Sequence, residues 1–154
     1  MTRRLPAEWE PQSAIQITFP HEATDWAHTF DKVISCFSTI IKTISQYQKV
    51  LVVCRSIREA QAHLQSILSD RLLFAQADSD DSWSRDHGPI TVFENGQPVL
   101  LDFLFNGWGG KFPADKDNRI TTASPRRHDH MRNRRPRPNA MIRTPATTNQ
   151  GALR

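Results

Sequence analysis

The spacing of apolar residues along the chain changes period several times before residue 123 and then stops. Ala14–Phe19 (AIQITF) alternates apolar and polar positions, which predicts a strand ended by Pro20. After a loop, His21–Asp25, the residues Trp26, Phe30, Val33, Ile34, Phe37, Ile40, Ile41 and Ile44 recur at steps of three and four. That spacing predicts an amphipathic helix over Asp25–Tyr47, with Thr24 as its N-cap. Val50–Val53 is a short apolar run, as in a buried strand. Ser56 and Glu59 form a capping box that opens a second helix carrying Ile57, Ala60, Leu64, Ile67 and Leu68. Arg71–Ala75 predicts a further strand. Gly88-Pro89 and Asn95-Gly96 are turn signals, and Ile90–Phe93 with Pro98–Phe105 reads as a hairpin. Strand, helix, strand, helix, strand and hairpin together make a mixed α/β chain. No repeat is visible in residue identities, and periodicity alone allows an open α/β sheet.

From Ser124 the hydrophobic period is gone and Arg, Pro, Thr and Asn dominate. Such a segment buries too little apolar surface to offset its ordering entropy, so residues 124–154 are expected to be a disordered basic tail. Charge divides at the same place. Residues 1–123 hold 12 Lys and Arg against 15 Asp and Glu, giving −3, and residues 124–154 hold 8 Arg against one acid, giving +7. The sequence pI near 9.5 therefore belongs to the tail. No apolar run has the length of a bilayer span. The start, MTRRLPAEWEPQ, reaches Pro and Glu without an apolar segment, so no secretory signal is expected. Cys36 and Cys54 read as reduced core thiols of a cytoplasmic protein.

Candidate chemistry gathers between Asp78 and Lys111. Asp78, Asp80, Asp81 and Asp86 surround Trp83, ahead of the hairpin and a Gly107-Trp108-Gly109-Gly110-Lys111 loop. Both loops are expected near one end of the same sheet. A carboxylate accepts two parallel N–H bonds from a guanidinium fork, and an indole face attracts the same flat cation. Trp83 and Asp86 are thus half of a guanidino socket. The plainer alternative makes Asp and Ser turn formers and Trp83 part of the core. Calcium fits poorly, because an EF-hand pattern begun at Asp78 needs Gly where Trp83 stands and Glu where Pro89 stands. Lys111 fails as a phosphate-binding lysine: the lead-in glycine is missing and Phe112 replaces the hydroxyl residue.

DDSWSRDHGPI followed by LDFLFNGWGGK, with PAEWEPQSAIQITFPHEATDW upstream, resembles the agmatine deiminase family, relatives of the bacterial-type peptidylarginine deiminases. The resemblance runs from Leu5 to Thr122. It implies a pentein-like fold, here a partial α/β-propeller of the five-bladed type, with 1–123 the N-terminal part of the catalytic domain. It implies hydrolysis in which a cysteine attacks the guanidinium carbon, a histidine protonates departing ammonia, and water releases the ureido product. Asp86 takes the role of the first guanidinium-binding carboxylate and Trp83 that of pocket wall. Trp108 belongs by the pocket mouth, with glycines permitting close backbone approach. Asp25 either meets the far amine of agmatine or is only a helix-start carboxylate. Arg85 is expected to pair with Asp81 or Asp102, and His87 to be structural.

The family's nucleophilic cysteine, catalytic histidine and second carboxylate lie beyond the matched stretch. Cys36, on the helix's apolar stripe, and Cys54, at a buried strand end, are not candidates. His128-Asp129-His130 lies in the arginine-rich segment and is discounted as catalytic pair or metal clip. The expectation is thus part of a hydrolase converting agmatine and water to N-carbamoylputrescine and ammonia, on a route toward putrescine. By itself the chain is not expected to turn substrate over. No cofactor or metal is implied, and neither specific nucleic acid nor membrane is expected as a partner. The abrupt end of resemblance favours a shifted reading frame over a genuine nucleic-acid-binding tail. A non-catalytic guanidine- or polyamine-binding module and a peptidyl-arginine deiminase remain as alternatives, FNGWGGK leaning toward the small-amine branch.

Overall fold

The computed structural model describes residues 2–67 and 70–123. The expected disorder of 124–154, the His128-Asp129-His130 cluster and the place of Leu68 lie outside the described residues. Among those described, the strands in chain order are β1 (Arg3–Arg4), β2 (Ile15–Thr18), β3 (Val50–Cys54), β4 (Leu72–Gln76), β5 (Ile90–Glu94) and β6 (Gln97–Leu101). They form two three-stranded sheets, β2-β3-β4 and β1-β5-β6.

The first sheet is parallel, with Ile17 opposite Val52 and Val52 opposite Phe74. Its crossovers are α1 (Phe30–Ser45) and α2 (Ile57–Leu64). Ile34 and Ile41 of α1 and Ala60 and Leu64 of α2 pack on Ile17, Val50, Val52 and Cys54, which form the main core. Because one face of each helix is buried there, strand register is fixed by the β-branched residues that face it. Ser56 caps α2 as its sequence predicts, its hydroxyl accepting the Glu59 N–H at 3.3 Å. The helix is shorter than expected, however: it ends at Leu64, and Ile67 packs on the core from the turn that follows.

Three local expectations are corrected at α1. The segment before it is a short 3-10 turn, Ala27–Thr29, and the Thr24 hydroxyl donates to the His21 carbonyl instead of capping the helix. Ile40 is exposed, because the buried stripe is narrower than the sequence spacing implies. Cys36 is exposed as well, two positions past Ile34 and so turned about 200° from it around the helix. Only Cys54 is a core thiol, and burial pushes it up to about 11.

The hairpin forms the second sheet. Asn95 and Gly96 both take positive φ in its two-residue turn, as the Asn-Gly signal requires. Its second strand stops at Leu101, so residues 102–105 are not strand as expected. The sequence placed the loops flanking the hairpin at one end of one sheet. Instead the acidic loop belongs to the parallel sheet and the hairpin to a separate one, completed by Arg3–Arg4 pairing antiparallel with β5. Arg4 also lies over the Phe93 ring, 4.6 Å from its centroid, and pairs with Glu10. No helix among the described residues is long and apolar enough to cross a membrane.

Candidate functional site

In a parallel sheet with crossover helices, all carboxyl ends point the same way, and the loops leaving them meet above the edge. Here β2 and β4 flank β3, so the loop after β2 (residues 19–26) faces the acidic loop after β4 (residues 77–83). Hydrogen bonds from Trp26 and His21 join them. The Trp26 indole Nε1 donates to the Ser82 hydroxyl at 2.9 Å. His21 Nδ1 accepts the Ala23 N–H, which leaves Nε2 to donate to the Ser79 carbonyl at 3.2 Å. The loops are thus held edge to edge.

α3 (Ser84–His87), a single turn, carries Asp86 and rests against β2. The Ser84 hydroxyl accepts the Thr18 N–H at 2.8 Å and donates to the Thr18 hydroxyl at 3.0 Å. That leaves the Thr18 proton for His87 Nε2, 2.8 Å away. The proton on His87 then sits on Nδ1, which faces Asp117 Oδ2 at 3.9 Å, beyond hydrogen-bond length. Gly88 closes the turn where a side chain would not fit: a Cβ there falls 2.5 Å from the Ser84 carbonyl oxygen.

The opposite wall is the segment after β6. Asn106 caps the Gly107–Gly110 turn through Gly109 N, and Gly107 and Trp108 take φ of 61° and 58°. The Asn118 side chain holds the segment from below, accepting the Phe105 N–H and donating to the Phe105 carbonyl. Phe105 and Trp108 meet edge to face with ring centroids 6.2 Å apart.

These walls enclose a cavity of about 310 Å³ lined by Asp25, Asp81, Trp83, Asp86, Phe105, Trp108, Phe112, Pro113 and Asp117. The four residues singled out in the sequence, Asp25, Trp83, Asp86 and Trp108, therefore share one cavity. Trp83 is 54% exposed, which overturns its reading as a core residue. Arg85 is exposed and forms no ion pair with Asp81 or Asp102 among the described residues, so the loop is shaped by other contacts. Sequence reasoning missed Asp117 altogether and did not assign Asp81 to the pocket. Phe105 and Phe112 were legible only as apolar residues beside the glycines. A larger, more open hollow of about 490 Å³ lies by α1, where Lys42 and His63 join Asp31 in its lining.

The chemistry of the cavity is one-sided. Four carboxylates and five apolar or aromatic residues line it, with no basic side chain among them. Burial pushes the Asp81 carboxyl above the usual range, and the nearby charges of Asp25 and Asp117 add to that. A cation entering the cavity relieves this repulsion, while an anion adds to it. The lining contains no cysteine and no histidine, and no cluster suited to a metal ion occurs among the described residues.

His87, 3% exposed, lies just beneath. Burial holds its pKa below the ordinary 6.5, against the opposing pull of Asp117, Asp86 and Asp81. A lowered pKa means that the folded chain binds fewer protons than the unfolded one. The associated stability is full above pH 6.5 and is lost as pH falls from 6.5 toward the folded value. Urea unfolding at pH 7.5 and 5.5 is thus expected to show a fall that shrinks in His87→Gln, whose amide oxygen still accepts from Thr18. An unchanged fall in that variant contradicts the assignment.

A three-stranded parallel sheet with crossover helices and an acidic, aromatic cavity at its carboxyl edge defines the class, an α/β protein with a carboxylate-lined pocket. The comparisons make the class specific. The sequence profile of the Porphyromonas-type peptidyl-arginine deiminase family matches residues 4–143, and the chain belongs to that family. An agmatine deiminase of Stutzerimonas stutzeri is 32% identical over 108 residues, 70% of this chain and 29% of the relative. A C. jejuni agmatine deiminase solved with substrate bound is 30% identical, with TM-score 0.74 over 79% of this chain and 35% of that one. An Enterococcus faecalis agmatine deiminase is also 30% identical, with TM-score 0.65 over 77% of this chain and 33% of that one. The chain thus spans about a third of the length of the relatives it matches.

Proposed function

We propose that this chain carries the guanidinium-recognition part of an agmatine deiminase-type hydrolase, within a larger five-bladed α/β propeller of which its two sheets are a portion. The observation that carries this is the cavity lined only by carboxylates, aromatic rings and apolar side chains. A guanidinium is flat, charged at every pH of interest and edged with paired N–H donors, so it wants a carboxylate at its edge and a ring at its face. Asp86 supplies the edge and Trp83 the face. Trp108 and Phe105 close the far side, and Asp25, exposed at the rim, meets the terminal ammonium.

Such a clamp serves hydrolysis by fixing the guanidinium carbon for attack by a thiol. The C–S bond forms, ammonia departs with a proton from a general acid, and water then releases the ureide and frees the thiol. In the complete reaction agmatine and water give N-carbamoylputrescine and ammonia, a cytoplasmic step toward putrescine. Neither described cysteine lines the cavity, so this chain binds without turnover. The peptidyl-arginine alternative shares the guanidinium but lacks the terminal ammonium for which Asp25 is proposed.

Isothermal titration of the purified chain with agmatine and with putrescine tests the reading. One-site binding of agmatine, roughly tenfold tighter than putrescine because only the guanidinium engages Asp86 bidentately, is the expected result. Equal affinity for both, or ammonia release from agmatine, contradicts it.

A further inference from the structure

Asp117 plays no part in the clamp proposed above, yet it is one of the most buried charged side chains described, at 1% exposure. It belongs to a short 3-10 turn, Asp117–Arg119, just before the helix Ile120–Ala123. Its Oδ1 accepts two backbone N–H groups of the acidic loop, Asp80 at 2.8 Å and Asp81 at 3.3 Å. The loop answers in kind: Asp80 Oδ2 accepts the Lys116 N–H at 2.9 Å, and Asp80 Oδ1 pairs with Lys116 Nζ at 3.3 Å. This two-way clasp joins segments more than thirty residues apart in the chain. It acts where Asp81 turns into the cavity, with the Asp81 carboxylate itself aimed by the Ser82 N–H at 2.6 Å.

We propose that Asp117 is a positioning residue for guanidinium binding, holding in its binding shape the loop that presents Asp81, Trp83 and Asp86. The proposal rests on the guanidinium reading of the same cavity. Its physical basis is preorganisation: a loop already ordered by the clasp does not have to be ordered by the ligand. A role in core stability alone would direct Asp117 at the core, but its two accepted bonds go to loop backbone whose neighbours line the cavity. His87 Nδ1, without a hydrogen-bond partner among the described residues, faces the other oxygen of Asp117. Oδ2 points to that buried ring at 3.9 Å, and Oδ1 makes both bonds to the loop.

The test compares Asp117→Asn, Asp117→Ala and Asp80→Ala in agmatine titration, with amide hydrogen exchange at Asp80 and Asp81 as second readout. Asn keeps an acceptor oxygen, so affinity is expected within about threefold of wild type and the two loop amides stay protected. Ala removes the acceptor: affinity falls on the order of tenfold or more, and both amides exchange freely while β3 remains protected. Asp80→Ala cuts only the reverse arm, at a side chain outside the cavity lining. It is expected to weaken binding about threefold with the core intact, which keeps the proposal testable where Asp117→Ala does not fold. Unchanged affinity in both alanine variants overturns the proposal, as does Asn behaving like Ala, since charge and not the clasp then decides. Absence of agmatine binding by the wild-type chain is a different failure, that of the guanidinium reading itself.

Discussion

Replacing Asp86 by Ala is expected to weaken agmatine binding by roughly one to two orders of magnitude while leaving the fold in place. Asp86 is half-buried on a one-turn helix, and among the described residues its carboxylate closes no bond that holds that helix: the turn is pinned instead through Ser84 and Thr18. A charge-assisted hydrogen-bond pair to a guanidinium contributes about 1.5–3 kcal/mol, so its loss weakens binding roughly 10- to 150-fold. Asp86→Asn separates shape from charge. The amide presents one acceptor where the fork wants two and carries no negative charge, so most of the loss is expected to persist. Calorimetry on the two variants checks this, with far-ultraviolet circular dichroism confirming the fold. Wild-type affinity in Asp86→Ala contradicts the assignment of this carboxylate.

The second large effect is expected at Gly107, where the wall opposite Asp86 turns. Its φ is +61°, and a Cβ added there falls 2.1 Å from the Phe112 carbonyl oxygen, a backbone atom that cannot swing aside. Gly107→Ala therefore combines left-handed strain with a clash that opens the turn. A cost on the order of 3 kcal/mol is expected, read by urea unfolding. Trp108 and Phe112 both line the cavity from this turn, so agmatine affinity falls with it. Gly109→Ala is the control. Its φ is +79° but its Cβ meets nothing within 4 Å, so only the backbone preference is lost, about 1 kcal/mol. Equal losses at the two glycines contradict the close packing of Gly107 on Phe112.

How much of this was legible follows from what local sequence encodes. Ser56 before Ile57 and the alternation in AIQITF act within a few residues: α2 starts at Ile57, though it ends early, and β2 lies within Ala14–Phe19. Asn95-Gly96 likewise forced its hairpin. Sheet membership is not local: nothing in Arg3-Arg4 signals a strand, yet it pairs with β5 and so separates the hairpin from the parallel sheet. Cys36 was misplaced because a stripe read as three- and four-residue steps admits neighbours that the helix turns outward. At the site, Trp83 and Asp86 stood out because their side-chain chemistry is specific at close spacing. Asp117 did not, since its meaning lies in N–H groups 36 and 37 residues away.

Under the proposed function, a flat cation binds in one cavity, built by the loops after β2 and β4 and the turn at Gly107. Nuclear magnetic resonance of the 15N-labelled chain titrated with agmatine tests it most directly. The indole N–H signals of Trp83 and Trp108 and the amides of Asp81 and Asp86 are expected to shift together and saturate, while the Trp9 indole stays still. Shifts confined to the hollow by α1, at Asp31, Lys42 and His63, or none at Trp83 and Asp86, contradict the account.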